Sequence, residues 1–334
     1  MTNKPLVDGV TQRFYDALAA QYDKFYQDWD AAVREEGAFL KGLFDKKGLP
    51  AAASVLDCAC GVGTQAIGLA ALGYAVTASD ISAGEIAEAK KKAAARGVAI
   101  RFEQADFRAL EPVFPEQFDA VIAMDNALPH MLTAEDLAKA VASIAGRLRK
   151  GGVFVASIRD YDGILQQKPA YPPPYVHKTA AGQRVLFQTW EWRGENYKFV
   201  QYVIDDEDTV SVSRFACEYR ATRREELTTL LYQGGCSEGQ WLFPEETGFY
   251  QPVVAARTSR FPQCRSIDIK IPFPFGNGFC VALCGRYIVD DISSINAAGR
   301  RSGPSCPATR RGRRACPPCR LRRTISPAWA APLP

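Results

Sequence analysis

Apolar and polar positions change period several times along the chain, and each change marks an element. In residues 12–48 apolar side chains recur at helical spacing, first Phe14, Leu18 and Tyr22, then Phe39, Leu40, Leu43 and Phe44. Gly48-Leu49-Pro50 stops that helical pattern. A short apolar run at 54–60 predicts a strand, 64–72 a helix with Gly73 just past its end, and 74–80 a second strand. The Ala-, Glu- and Lys-rich stretch 82–95 predicts a helix, and 98–106 a third strand. Residues 118–126 are almost wholly apolar, as in a strand buried on both faces. A helix over 134–149 follows, with Thr133 as N-cap and Glu135 and Asp136 in its first turn. Gly151-Gly152 then turn the chain into a strand over 152–160.

Strands alternating with helices through short loops predict an α/β fold: a mostly parallel sheet, covered by helices, with right-handed crossovers. The alternation stops at 184. RVLFQTWEW, YKFVQYVID and SVSRFACEYRA are three strand-like runs with no helix between them. They predict an antiparallel β insertion, over about 165–221, lying on one edge or mouth of the sheet as a lid. A helix returns at 223–235, and WLFPEE with GFYQPVVAAR predicts a closing antiparallel hairpin.

Composition sharpens the domain boundary. The chain has 334 residues, 47% hydrophobic and 23% charged, which suffices for a sizeable core. Its net charge of +4 is uneven: from 258 onward there are 13 Lys and Arg against 3 acids, so residues 1–257 carry about −6. The expected domains are 1–257, folded, and 258–334, a basic low-complexity tail read as disordered. The acidic body is unlike a nucleic-acid footprint. Cys58, Cys60, Cys217 and Cys236 fit neither a disulfide framework nor a zinc site, and the tail pair Cys316 and Cys319 has no second pair or nearby His. No metal is expected. With no leader pattern and no apolar run of the ~20 residues that span a bilayer, the expected compartment is cytoplasmic, without membrane contact.

The candidate chemistry begins at VLDCACGVGTQ. A strand, a glycine turn and a helix N-terminus build a ligand crevice at the carboxyl end of a parallel sheet. Gly61 and Gly63 allow close backbone approach and positive φ. The string Gly61 to Ala66 also fits the loose dinucleotide pattern, so a nicotinamide cofactor stays open at this point. Carboxylates decide between the two. Asp57 ends the first strand, Asp80 ends the next, with Ile81 beside it, and Asp106 ends the third, beside Phe107. Asp80 stands where a ribose diol would donate two charge-assisted hydrogen bonds, and Asp106 with Phe107 suits an adenine.

The arrangement Asp57-Cys58-Ala59-Cys60-Gly61-Val62-Gly63 resembles the first motif of class I S-adenosylmethionine-dependent methyltransferases, whose fold is Rossmann-like. DWDAAVREEGAFLKGLF, MDNALPHML and IRDYDGIL add a likeness to the glycine N-methyltransferase and glycine/sarcosine methyltransferase group over roughly 12–257. The resemblance implies adenosylmethionine as methyl donor and a small amine or amino acid as acceptor. It implies that Arg159 holds a substrate carboxylate, that Asn126 helps place the amino acid and that Tyr175 contacts it. His130 would lie near the donor's sulfonium end and Met124 in the adenosyl pocket. Tyr22 and Trp29 would belong to an N-terminal segment closing over the donor, with Asp57, Ala59, Gly61 and Gly63 beneath it. A homo-oligomer is compatible with the group. Two departures stand out: Arg159-Asp160-Tyr161-Asp162 replaces the group's Arg-Asn-Tyr-Asp, and Ala32 stands where the group has an arginine.

Methyl transfer from a sulfonium is an in-line displacement, so the protein supplies proximity and alignment rather than a nucleophile. The amine must first lose its proton, to solvent or to His130. Two other readings remain in view: methylation of another small molecule, and a non-catalytic adenosylmethionine-binding protein. Methylation of nucleic acid is disfavoured because the Tyr171-Pro-Pro-Pro-Tyr175 string lies more than 40 residues past the fourth strand, where such a motif belongs.

Overall fold

A computed structural model describes residues 9–237 and 239–258, so the tail and its cysteine pair lie almost wholly outside the described residues. The N-terminal helical segment is two helices rather than one: α1 (Gly9–Leu18) and α2 (Trp29–Lys46), joined by a 3-10 stretch at Ala19–Phe25. The break is made by Tyr26 and Asp28, both extended; the Asp28 carboxylate caps α2 by accepting from the Ala31 N–H.

Next come β1 (Ser54–Asp57), α3 (Thr64–Ala71), β2 (Ala75–Asp80), α4 (Ala83–Ala95), β3 (Arg101–Gln104), β4 (Phe118–Ala123), α5 (Ala134–Ala145) and β5 (Leu148–Ser157). The chain then forms α6 (Tyr161–Gln167), the four strands β6 (Tyr175–Lys178), β7 (Gln183–Arg193), β8 (Asn196–Asp206) and β9 (Val210–Arg220), and α7 (Arg224–Gln233). It closes with β10 (Gln240–Leu242), α8 (Pro244–Thr247) and β11 (Val253–Arg257).

One sheet has the order β10-β11-β5-β4-β1-β2-β3, parallel from β3 to β5 and antiparallel at β11 and β10. β4 shows why it reads as a continuous apolar run. Val121 and Ala123 face a core that includes Leu137, Val141 and Ile144 of α5, while Ala120 and Ile122 face the opposite core with Leu40 and Ile67. The second sheet is antiparallel, β6-β7-β8-β9, so the insertion has four strands and not three. β6 was hidden by the prolines before it.

Two boundaries differ for local reasons. α5 stops four residues short of 149 because Leu148 pairs with Phe118 and starts β5. The Pro-Glu-Glu after β10 is helical: Pro244 occupies the first turn and the Glu246 carboxylate accepts from the Phe243 N–H at 3.0 Å.

One contact aligns the N-terminal helices with the ligand crevice. α2 crosses α3 at Gly37 and Gly68, where a Cβ on Gly68 would lie 2.3 Å from the Val33 carbonyl oxygen. Close approach there brings Trp29 and Glu36 of α2 onto Thr64 and Gln65 of α3. Among the described residues no helix is long and apolar enough to cross a membrane.

Candidate active site

The turn after β1 is built from backbone bonds that need glycine. Gly61 has φ +51° and Gly63 φ +91°, and Gly63 N–H donates to the Cys60 carbonyl at 2.8 Å. Asp80 ties this turn to the next one: one oxygen accepts from Gly61 N–H at 3.0 Å, the other from Ser82 N–H at 2.9 Å. Asp57 lies beneath, fully buried; Oδ1 accepts from Ala59 N–H at 3.4 Å and Oδ2 has no partner. Burial, with Asp125 and Asp80 adding, pushes Asp57 well above the usual carboxylate range.

Above the turn opens a cavity of about 320 Å3. Of the residues singled out in the sequence, Tyr22, Ala59, Gly61, Asp80, Ile81, Asp106, Phe107, Met124 and His130 line it. The second and third acids therefore face one hollow, while the first supports its floor. Trp29, Asp57, Gly63, Asn126, Arg159 and Tyr175 are not in the wall. Trp29 instead donates to the Thr64 hydroxyl at 3.0 Å and carries Lys92 and Arg96 on its ring.

Pattern reading missed Tyr15, Gln65, Arg108, Asp125 and Asp136, all in the wall. The signal for Arg108 was its place after Asp106-Phe107: it pairs with Asp106 at 2.9 Å and with Asp136 at 3.4 Å. The cavity thus presents Asp80, Asp106, Asp125 and Asp136 against Arg108. His130 adds no charge, because burial, with Arg159 adding, pushes it down to about 3 against a backbone hydrogen bond to Glu218. Its Nε2 lies 2.8 Å from the Tyr15 hydroxyl. A wall of this sign favours a cationic ligand and repels a pyrophosphate. Cys58 and Cys60 are buried free thiols whose burial pushes them up, so neither is a thiolate nucleophile.

At the end of β4, Asp125 and Asn126 are successive left-handed residues, φ +56° and +67°, a strain of ~1–3 kcal/mol each. Ser157 holds the kink, its hydroxyl accepting from Asp125 N–H at 2.7 Å and its carbonyl from Asn126 N–H at 3.1 Å. Asn126 Oδ1 accepts from Arg159 N–H at 3.1 Å, while its Nδ2 is buried without a partner. Arg159 is 5% exposed. It donates from Nη1 to the Tyr197 hydroxyl at 2.8 Å, its Nη2 has no partner, and Trp190, Phe199 and Tyr219 rings lie 5.1–5.3 Å away. Burial opposes the charge, yet a guanidinium stays protonated in proteins. Tyr197 is the tyrosine whose hydroxyl accepts from Arg159 at 2.8 Å. Tyr175 lies within its electrostatic reach: burial pushes that phenol up to about 12, with Arg159 pulling the other way.

The family described as methyltransferase domain matches residues 55–152, from β1 through the start of β5. That stretch is similar to methyltransferase domains. Around that stretch, similarity to curated proteins extends further. Glycine/sarcosine N-methyltransferase of Halorhodospira halochloris is 32% identical over 47% of this chain and 58% of its own length. The enzyme of the same name from Parasynechococcus marenigrum is 33% identical over 48% and 55%, and rat glycine N-methyltransferase 31% over 51% and 61%. The chain thus spans a little over half the length of these relatives. Among solved structures, the sugar N-methyltransferase KedS8 from Streptoalloteichus superposes with a TM-score of 0.60 at 20% identity, covering 78% of this chain and 98% of that one. CalS10, an amino pentose methyltransferase from Micromonospora echinaspora, gives 0.60 at 19%, over 73% and 97%. These structures share this chain's fold: a Rossmann-like, mostly parallel sheet.

Proposed function

We propose that the protein transfers a methyl group from S-adenosylmethionine to the amine of a small amino acid such as glycine or sarcosine. The observation that carries this reading is a pair of buried donors, Arg159 Nη2 and Asn126 Nδ2, that make no close hydrogen bond, with only the Tyr161 hydroxyl acting on both residues, and that are joined through the Arg159 N–H to Asn126 Oδ1 bond. Unsatisfied donors next to a fixed positive charge favour a carboxylate, which can accept from both. The family match and the named relatives support the same chemistry.

The residues present fit the donor. Four carboxylates against Arg108 suit a ligand bearing a sulfonium and an ammonium, and Asp57 Oδ2 is an unpaired acceptor under the turn. Asp80 would hold the ribose, Asp106 with Phe107 and Ile81 the adenine, Met124 the adenosyl face, and the Gly61 turn the methionyl part. Tyr22 would close the cavity from the N-terminal side, with Trp29 bracing Thr64. When bound, the donor supplies a methyl carbon already activated by positive sulfur.

The chain's own residues then do the positioning. Arg159 and Asn126 fix the acceptor carboxylate, Tyr197 aims the guanidinium, and Tyr175 closes the other side. His130 orients Tyr15 and, being neutral and weakly basic, leaves proton removal to another group.

The test is a mass-spectrometric screen of amines and amino acids with labelled donor. Transfer to an amino acid but not to its decarboxylated amine is the expected outcome. Equal transfer to both contradicts the carboxylate clamp, and donor binding with no transfer to any amine supports a non-catalytic binding protein instead.

A further inference from the structure

A second hollow lies against the donor cavity, on the far side of Gln65. It has a volume of about 510 Å3, and its wall includes Tyr26, Glu36, Phe39, His177, Phe249 and Tyr250. Phe39 and Phe249 are stacked, ring centres 4.8 Å apart, and Phe249 lies 4.7 Å from Tyr250. Glu36 is 8% exposed. His177 is 9% exposed with Nδ1 lacking a partner, and burial, then the nearby Arg184, push it down against a backbone hydrogen bond to Tyr26. Aromatic faces, the Glu36 carboxyl, whose pKa burial raises well above the ordinary value, and a neutral imidazole form a cage suited to an ammonium ion.

Four side chains make the partition between the hollows. Gln65 and Asp125 line the donor cavity; Glu36 and Tyr250 line the second hollow. Gln65 Nε2 donates to Glu36 Oε2 at 2.5 Å and also to Asp125 Oδ2, and the Tyr250 hydroxyl donates to Asp125 Oδ1 at 2.6 Å. A single amide therefore bridges two carboxylates, with no cation between them. The β4 kink turns Asp125 toward this partition and Asn126 toward Arg159. Tyr175 and His177 share a face of β6, so one strand runs from Arg159's neighbourhood to the second hollow.

We propose that this aromatic and acidic hollow admits the acceptor as its ammonium ion, and that Asp125, bridged by Gln65 to Glu36, takes the proton the amine must lose. The proposal rests on the amine-methylation reading above and names how that site handles charge. The balance is simple. The ammonium N–H bond breaks, its proton going to an Asp125 carboxylate oxygen and its electron pair staying on nitrogen. That pair forms the new N–C bond as the S–C bond breaks, leaving a methylammonium product and a neutral thioether. Asp125, which lines the donor cavity, then returns its proton to solvent as the product leaves.

Need and means agree. An aliphatic amine is protonated near neutral pH, like lysine at about 10.4, and a protonated nitrogen cannot attack. The groups facing Asp125 are Glu36 on α2, Asp57 on β1, Tyr22 and Tyr26 before α2, and Tyr250 before β11, none a cation. Burial pushes Asp125 up to about 6 against the hydrogen bonds from Tyr250 and Gln65. That places it closer to a useful working range than His130.

The test uses the full chain with adenosylmethionine and the best acceptor from the screen, following kcat/KM against pH. For the native protein the rate should rise tenfold per unit below about pH 6 and level off above it. Asp125→Asn should lose that limb and ~10²-fold or more in rate while still binding donor by calorimetry. Tyr250→Phe removes a hydrogen bond that favours the charged form, so it should shift the limb to higher pH, a change that a merely structural role does not produce. Glu36→Gln should raise the acceptor KM more than it lowers kcat. An Asp125→Asn protein that binds donor and keeps the native rate and pH limb overturns the proposal and leaves amine methylation standing. A native chain that methylates no amine overturns both, and that result is separable because it needs no variant.

Discussion

The Arg159 guanidinium donates to the Tyr197 hydroxyl at 2.8 Å, and Tyr197 in turn lies 2.9 Å from the Tyr161 hydroxyl. A charge on β5's outgoing chain is thereby aimed by a strand of the second sheet. Under the proposed carboxylate clamp, the insertion contributes to the site. Arg159→Ala should lower kcat/KM about 10²–10³-fold, since it removes one partner of a buried charged contact. Donor affinity should stay within about threefold. Tyr197→Phe should raise the acceptor KM about tenfold, the worth of one hydrogen bond to a charged group. Steady-state kinetics with parallel donor calorimetry checks both.

Glu85 suits the first turn of α4 by charge but not by burial. It is fully buried and neither carboxylate oxygen has a partner. Burial, then Asp80 and Asp16, push its pKa well above the ordinary value. A carboxyl whose folded pKa is raised binds its proton more tightly in the folded chain. Its stability contribution is full below the unfolded value, about 4.3, and is lost as pH rises through the folded one. Glu85→Gln should therefore stabilise the apoprotein by ~1–3 kcal/mol at pH 8, and by little at pH 4. Thermal melts at the two pH values read the difference; equal shifts at both would contradict it.

The Gly37–Gly68 crossing should tolerate no side chain. A Cβ at Gly68 would meet backbone, the Val33 carbonyl oxygen at 2.3 Å and Gly37 Cα at 3.0 Å, and neither can swing aside. Gly68→Ala should cost ~1–3 kcal/mol or more. Moving α2 from α3 should also weaken donor binding, because Trp29–Thr64 and Glu36–Gln65 both span that crossing. Chemical denaturation and donor titration of one variant test both effects together.

His130 and Asp125 predict different pH behaviour. With His130 pushed to about 3, His130→Asn should slow the reaction yet leave the pH limb near 6 in place. Disappearance of the limb in that variant would assign it to the imidazole.

Period and glycine placement made the main sheet legible from the sequence. β1, β2 and β4 are short apolar runs ended by Asp57, Asp80 and Ala123, and period locates them to within a few residues. Tyr26 and Asp28 broke the N-terminal helix because an N-cap within an amphipathic run looks like one more polar position. β6 was illegible because Pro172, Pro173 and Pro174 precede it, and pairing with β7 outweighs their local preference. In the candidate site, Asp80 was legible as a strand end; Asp106 was expected to end the third strand, but β3 stops at Gln104 and Asp106 instead caps the 3-10 turn that begins at Phe107. Asp125, Gln65 and Tyr250 were not legible, because their roles arise from contacts across 60 and 125 residues of sequence. Arg159 was found by motif, whereas its partner Tyr197 depends on how the second sheet folds over β5.

Isothermal titration of the purified chain with S-adenosylmethionine, its demethylated product and NAD tests the central claim most directly. That claim is that the acidic cavity over the Gly61 turn selects a cationic adenosyl donor. Saturable binding of S-adenosylmethionine, weakened by Asp80→Asn, with no heat from NAD, is the predicted result. Tighter binding of NAD, or no heat from S-adenosylmethionine, would contradict it.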